Sequence, residues 1–590
     1  MMRLFGQEKT YIFPVFVMGL FSVTILAGFI GTLLPSFNYL PVIGHTNLSL
    51  SVWFDFFSYP GIQTSILVTI FSGMTASFCV VTLAFLFISV SYENALWKFF
   101  EKILSPVLSI PHAAFAVGFG FLIAPSGWMV RLVSPVLTGF HTPPDWILLN
   151  DPLGISLTIA LVIKEFPFLI MVAMGALGQL DIKKTLLVGR ALGYKKEQIW
   201  LKVLIPRLYP HLRLSIFAII AYSLSVVDMA ILLGPNTPSS LSVLVLKWFN
   251  DPDVNFKLLA SAGSLCLFFI VLVSIFIVYL IERIAHFFLG PWITNGKRSS
   301  FLALFKPFIA FMGICIILFT IISSVILVIW SLAWQWRFPD FLPTTWSLNF
   351  WAKGMVSSFD PVMTTVVTGV ASAFIGLFLT IGCLEHEGNY RKNQTNQNQN
   401  SQDLIGLNQI RKKRTNNFIK NIHYFLYLPL LVPQITFMAG IQLLLVIMKM
   451  DGYWITLMGS HLLFVLPYMF IALSATYLSF DERVTDQAML LRRSYARVML
   501  SVKWPMLLKP ILFSFAIGFS VSVAQYIPTM LVGAGRFSTI TTEVVNIASG
   551  SDRRIMAVYA LIQQCLPLIM FAAAIIIPKI LYYNRKGMQV

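Results

Sequence analysis

Lys164 and Glu165 stand near the middle of a run of sequence that is otherwise apolar enough to cross a membrane, and Asp228 lies deep in the next such run. Charges placed in lipid are costly, so residues like these either neutralise one another or line a polar path. Two chemistries are open. Lys164 paired with Asp228 or Glu165 would be an intramembrane ion pair that holds spans together. Alternatively, Lys164, Glu165 and Asp228, with Gln525 in a later apolar run, would form the polar lining of a translocation path. No GxxxxGK[ST] phosphate loop occurs, so binding and hydrolysis of ATP in the P-loop manner are excluded. Neither a metal-ligand helix pair nor a nucleophile elbow is present, and no catalytic residue, metal or cofactor is expected. His112 and His461 are isolated and read as structural residues at span ends. The five cysteines, Cys79, Cys266, Cys315, Cys383 and Cys565, lie in or beside apolar runs without paired spacing, which points to packing rather than to disulfides.

The elements that would carry these residues are membrane helices. Hydrophobic residues make up 57% of the 590-residue chain and charged residues 11%, more apolar surface than a soluble core of this length can hide. A spanning helix needs ~20 largely apolar residues. About twelve such stretches occur, near 11–34, 61–90, 112–130, 154–177, 214–233, 258–280, 307–330, 364–383, 425–448, 456–478, 510–531 and 556–581. The fold class is therefore all-α and polytopic. The first stretch is too long for a signal-peptide core and lacks a cleavage site of small residues, so it reads as retained. The net charge of +18 does not indicate nucleic acid, because most Lys and Arg fall at the termini and in alternate loops near 91–110, 178–213, 281–306, 384–424 and 480–509. The positive-inside rule puts those loops and both termini in the cytoplasm. Tryptophans 330, 334, 336, 346 and 351 cluster near span ends, as in an interfacial belt.

The second half repeats the first. Pro167 in Glu165-Phe-Pro-Phe matches Pro467, 300 residues on; Pro206 matches Pro505, 299 on; Ser223-Leu-Ser-Val-Val-Asp228 matches Ser520-Val-Ser-Val-Ala-Gln525, 297 on. Pro111-His112 resembles Pro433-Gln434 at an offset of 322, the excess being an external segment around 131–152. Six spans separate equivalent points, so the halves, 1–290 and 291–590, share one membrane orientation as a parallel repeat. They join near 283–303. The Gln- and Asn-rich stretch 389–417, with its Arg411-Lys-Lys-Arg414 cluster, is expected to be a disordered cytoplasmic loop.

Between the fourth and fifth spans of each half lies a basic, amphipathic segment that ends in the proline opening the next span. The first, 187–206, contains Gly193-Tyr194 and ends at Pro206; the second, 486–505, contains Asp486, Ala488 and Arg492 and ends at Pro505. This pair resembles the EAA loop of permease subunits in binding-protein-dependent ABC importers. There an acidic residue, two alanines, three residues and a glycine precede a proline thirteen positions further on. Gly193 to Pro206 has that spacing; a glycine suits the turn between two short helices and a proline the first turn of the next helix. Leu187, Val188 and Gly189 stand at the acidic and alanine positions, and Arg492 replaces the second glycine.

The resemblance implies a type I importer permease fold with two halves fused in one chain, set in the lipid of a bacterial inner membrane. Two ABC ATPase subunits would dock on the two segments, with ATP hydrolysed on those subunits. A periplasmic solute-binding protein would deliver the solute to the external face. The fused arrangement, with Pro111-His-Ala-Ala-Phe115, Lys164-Glu-Phe-Pro-Phe168, Ser225-Val-Val-Asp228 and Thr541-Thr-Glu543, is similar to iron(III) and thiamine importers and to a less characterised thiamine-like branch. The solute itself stays open among thiamine, ferric iron and small anions. The alternative is a twelve-span carrier driven by an ion gradient, with Lys164, Glu165 and Asp228 as a relay; such carriers also have parallel halves but do not need two motor-docking segments.

Overall fold

A computed structural model describes residues 10–298, 302–400, 425–491, 494–548, 550 and 552–583. Among these, ten helices are long and apolar enough to cross a membrane, and two bent pairs raise the number to twelve. In lipid every backbone N–H and C=O must find a partner within the protein, which the helix provides within each segment. The two strands among the described residues, Ala333–Gln335 and Thr345–Trp346, pair in a hairpin outside the spans.

The bent pairs are Phe425–Leu431 with Gln434–Ile447, turned by 99° at Pro433, and Tyr495–Met506 with Leu508–Val523, turned by 81°. The fifth and eleventh spans break at matching depth. Ile205–Ser225 gives way to Asp228–Leu233, and Leu508–Val523 to Ile527–Val532. Asp228 is therefore not in mid-helix, as a continuous span would have it; it opens a new helix just after a break. The repeat is visible in hydrogen bonding as well. Thr69 Oγ1 accepts from the Leu241 N–H at 2.8 Å, and Thr365 Oγ1 from the Ile540 N–H at 2.9 Å, each anchoring the start of an equivalent short helix.

The halves exchange their first helices. Ile12–Ser36 packs along Gln434–Ile447 of the second half, and Leu302–Leu332 packs along His112–Ile123 of the first. Glycines make this possible, since helices in lipid associate through close backbone approach at small residues. A Cβ on Gly440 would lie 1.8 Å from the Gly28 carbonyl oxygen, and one on Gly118 would lie 2.3 Å from that of Ser323. Thr32 Oγ1 donates across the first contact to the Thr436 carbonyl at 2.5 Å. At the ends of spans, Arg131 donates to the Arg337 and Asp340 carbonyls at 2.7 and 3.0 Å, and Arg553 to Ser126 Oγ at 2.9 Å, tying the halves together again.

One expectation is adjusted. The stretch expected to be disordered from 389 is helical as far as Asn400, in one helix Phe359–Asn400. Nucleation is the costly step of helix formation, so a helix already formed in the span propagates into the polar sequence that follows. Residues 401–417 and Arg492 lie outside the described residues.

Candidate functional site

A cavity of about 250 Å³ lies where the two halves meet, lined by the residues that follow the helix breaks. Lys164 and Glu165 reach it from the fourth span, Asp228 from the fifth, and Gln525 from the eleventh, so all four polar residues singled out from the sequence are brought together. They are joined by His112, Tyr222, Gln434, Tyr468 and Tyr526. Sequence reasoning passed over the three tyrosines because an aromatic residue in an apolar run carries no signal of its own. The repeat offered one for Gln434, which pairs with His112 in the alignment.

The ion pair between Lys164 and Asp228 does not form. Lys164 Nζ donates instead to the Ile110 carbonyl at 2.7 Å and lies 5.8 Å from the centre of the Phe115 ring. Ile110 caps the helix Ala95–Ser109, and Pro111 follows it, so its carbonyl has no helical donor and takes the lysine. Glu165 faces His112, with Oε1 3.5 Å from Nε2, and the His112 ring lies 5.1 Å from that of Tyr222. Asp228 is left without a cationic side chain in contact. Gln525 is 7% exposed, and its Oε1 is buried without a protein donor. The cavity wall thus carries two carboxylates, with the Gln525 Oε1 buried behind it and the lysine held by backbone.

His461 is structural. Its Nδ1 meets Ser522 Oγ at 2.8 Å and its Nε2 meets Thr529 Oγ1 at 2.9 Å, so one buried ring bridges both arms of the break around Gln525.

The two basic segments share a build. The first runs through Ile182–Ala191, a turn at Gly193, Lys196–Ile199, a π-helical turn Trp200–Leu204, and the helix Ile205–Ser225 with Pro206 in its first turn. Gly193 has φ +82°, a conformation that suits glycine and strains other residues. Gly189 stands where alanine was expected because a Cβ there would lie 2.5 Å from Ile199 Cδ1. Tyr194 packs under the Lys202 and Arg298 cations, each 5.8 Å from its ring centre. The second segment repeats the order as Arg483–Leu490, Tyr495–Val498, a π-helical turn Met499–Lys503, and Trp504–Met506 with Pro505 in its first turn. Asp486 pairs with Lys392, and Ala488 is half-buried. Each segment holds bare aliphatic side chains around the end of its first helix: Leu187, Val188 and Leu192 in one, Leu490 and Leu491 in the other.

No family model matches the chain. Over 549 residues it is 29% identical to the inner membrane ABC transporter permease protein YnjC of Escherichia coli (strain K12), a similarity that spans 92% of this chain and 93% of that protein.

Proposed function

We infer that the chain is a permease subunit of an ABC transporter of the inner membrane, and that it works as an importer with two fused halves, 1–290 and 291–590. Its similarity in sequence to a permease of such a transporter runs nearly end to end, which leaves the ion-gradient carrier without support. ATP is then hydrolysed on separate ATPase subunits. The observation that carries the two-motor reading is the pair of like-built segments that each expose aliphatic side chains, since clustered apolar groups bared to water mark surfaces waiting for a partner.

On this reading one ATPase docks on each segment, at Gly193, Tyr194 and Pro206 in the first and at Asp486, Ala488, Arg492 and Pro505 in the second. Closure of the motors on ATP moves the halves between inward- and outward-facing states, the energy coming from nucleotide rather than from this chain. The cavity between the halves, with Lys164, Glu165, Asp228 and Gln525 in its wall, is the solute's path. Both termini lie in the cytoplasm, and a solute-binding protein loads the external face. We place the chain beside the iron(III) and thiamine permeases, in the thiamine-like branch, on the strength of its fused halves and the motifs around Pro111, Lys164 and Asp228.

Cross-linking tests the docking. Cysteines at Lys195 and Arg497, both exposed, should each capture an ATPase subunit in membranes, in a manner that ATP changes. Capture at neither position would remove the two-motor reading.

A further inference from the structure

The second docking segment is fastened within its own half by a buried charge cluster, whereas the buried carboxylate of the first, Glu197, pairs with Lys306 on the other half's first helix. Glu385, in the helix Phe359–Asn400, is 2% exposed. Its Oε1 accepts from Lys503 Nζ at 2.7 Å and from the Tyr477 hydroxyl, and its Oε2 accepts from the Tyr495 hydroxyl at 2.5 Å. Lys503, 3% exposed, also donates to Glu482 Oε1 at 2.7 Å and lies 4.7 Å from the centre of the Tyr477 ring. One carboxylate therefore joins a span, its neighbour Trp454–Leu478 and both short turns of the docking segment.

The internal repeat supplies the comparison. The threonine pair Thr69 and Thr365 places Ser89 opposite Glu385, and the proline pairs place Leu177, Lys196 and Leu204 opposite Tyr477, Tyr495 and Lys503. All four members of the cluster are replaced together. In the first half Ser89 Oγ turns back to its own helix at the Leu86 carbonyl, 2.7 Å away. The first segment is held by Lys196 Nζ on the Tyr92 carbonyl at 2.6 Å, by Trp200 beside the Tyr92 ring, 5.1 Å between centres, by Lys202 Nζ on Asn295 Oδ1 at 2.8 Å, and by its own Glu197, 2.5 Å from Lys306 Nζ on the helix Leu302–Leu332. In the first pair the lysine is 43% exposed and stays hydrated when the contact parts; Glu385 and Lys503 are both buried, so parting them leaves two uncompensated charges.

We propose that Glu385 is a positioning residue that fastens the second docking segment to the helix Phe359–Asn400, so that the two motors drive the permease through unequal linkages. The linkage continues to the cavity: Phe359–Asn400 packs on Trp454–Leu478, which carries Tyr468, and on Leu508–Val523, which leads into Gln525. It also gives the second segment an anchor of its own, where Arg492 stands at the position of the first segment's turn glycine. This proposal rests on the docking reading above.

The test uses full-length permease, alone and reconstituted with its ATPase. Glu385→Gln in the permease alone should raise amide exchange across 495–506 by about tenfold and leave 196–206 unchanged. In the reconstituted complex, the same variant should retain the ATPase but transport severalfold less solute per ATP. Should Glu385→Gln fail to fold, Glu385→Ser with Tyr477→Leu and Lys503→Leu installs the first half's residues at three of the four positions, leaves only the part-exposed Glu482 without its lysine, and should fold with the same low ratio. Unchanged exchange across 495–506, or a wild-type ratio of transport to ATP in whichever variant folds, overturns the proposal. Failure of wild-type permease to capture an ATPase would instead overturn the docking reading, and the coupling role of Glu385 with it.

Discussion

At the scale of single residues, the partner that Lys164 takes decides what Asp228 does. A carboxylate whose work was to neutralise Lys164 would touch it, yet Lys164 is spent on the Ile110 carbonyl. Asp228 instead opens the helix Asp228–Leu233 and faces the cavity. Asp228→Asn keeps the shape and removes the charge. We expect the protein to insert and assemble normally while uptake falls by about tenfold, the equivalent of ~1.4 kcal/mol. Adding Lys164→Met should bring no recovery. Recovery of uptake in the double variant would restore the ion-pair reading; normal uptake in Asp228→Asn alone would remove Asp228 from the path.

At the scale of elements, the decisive contact is the one between the first helix and the second half. The Gly28 carbonyl and the Gly440 Cα side approach so closely that no side chain fits between them. Overpacking a well-filled contact costs about 1–3 kcal/mol, and here the obstacle is backbone, which cannot swing aside. Gly440→Leu should therefore lower the thermal midpoint of the detergent-solubilised protein and broaden its size-exclusion peak. Gly19→Leu on the same first helix, where nothing lies within 4 Å of an added Cβ, should do neither. Equal behaviour of the two variants would mean that the exchanged helix does not depend on this approach.

At the scale of the whole molecule, the parallel repeat requires that both docking segments face one side. A membrane-impermeant thiol reagent should label cysteines at Lys195 and Arg497 only from the cytoplasmic face, with no background from the native Cys79 and Cys565, which lie within apolar spans. Labelling of either introduced cysteine from outside would break the parallel arrangement, and with it the reading that two motors act on one face.

The sequence by itself determined the membrane class, the spans and the internal repeat, because hydropathy and proline spacing are local properties that survive without neighbours. It also singled out Lys164, Glu165, Asp228 and Gln525, since a polar side chain in an apolar run is conspicuous wherever it points. Tertiary structure decided the rest. Which carbonyl Lys164 reaches depends on a helix break some fifty residues away in sequence. Glu385 and Lys503 read in the sequence as ordinary charges at the cytoplasmic ends of spans; only folding puts one carboxylate against three donors from separate elements. The exchange of first helices is likewise invisible to periodicity. Hydropathy tells a helix that it must be buried in lipid or protein, but the partner is chosen by backbone approach at glycines such as Gly28 and Gly440, a matter of shape between segments far apart in the chain.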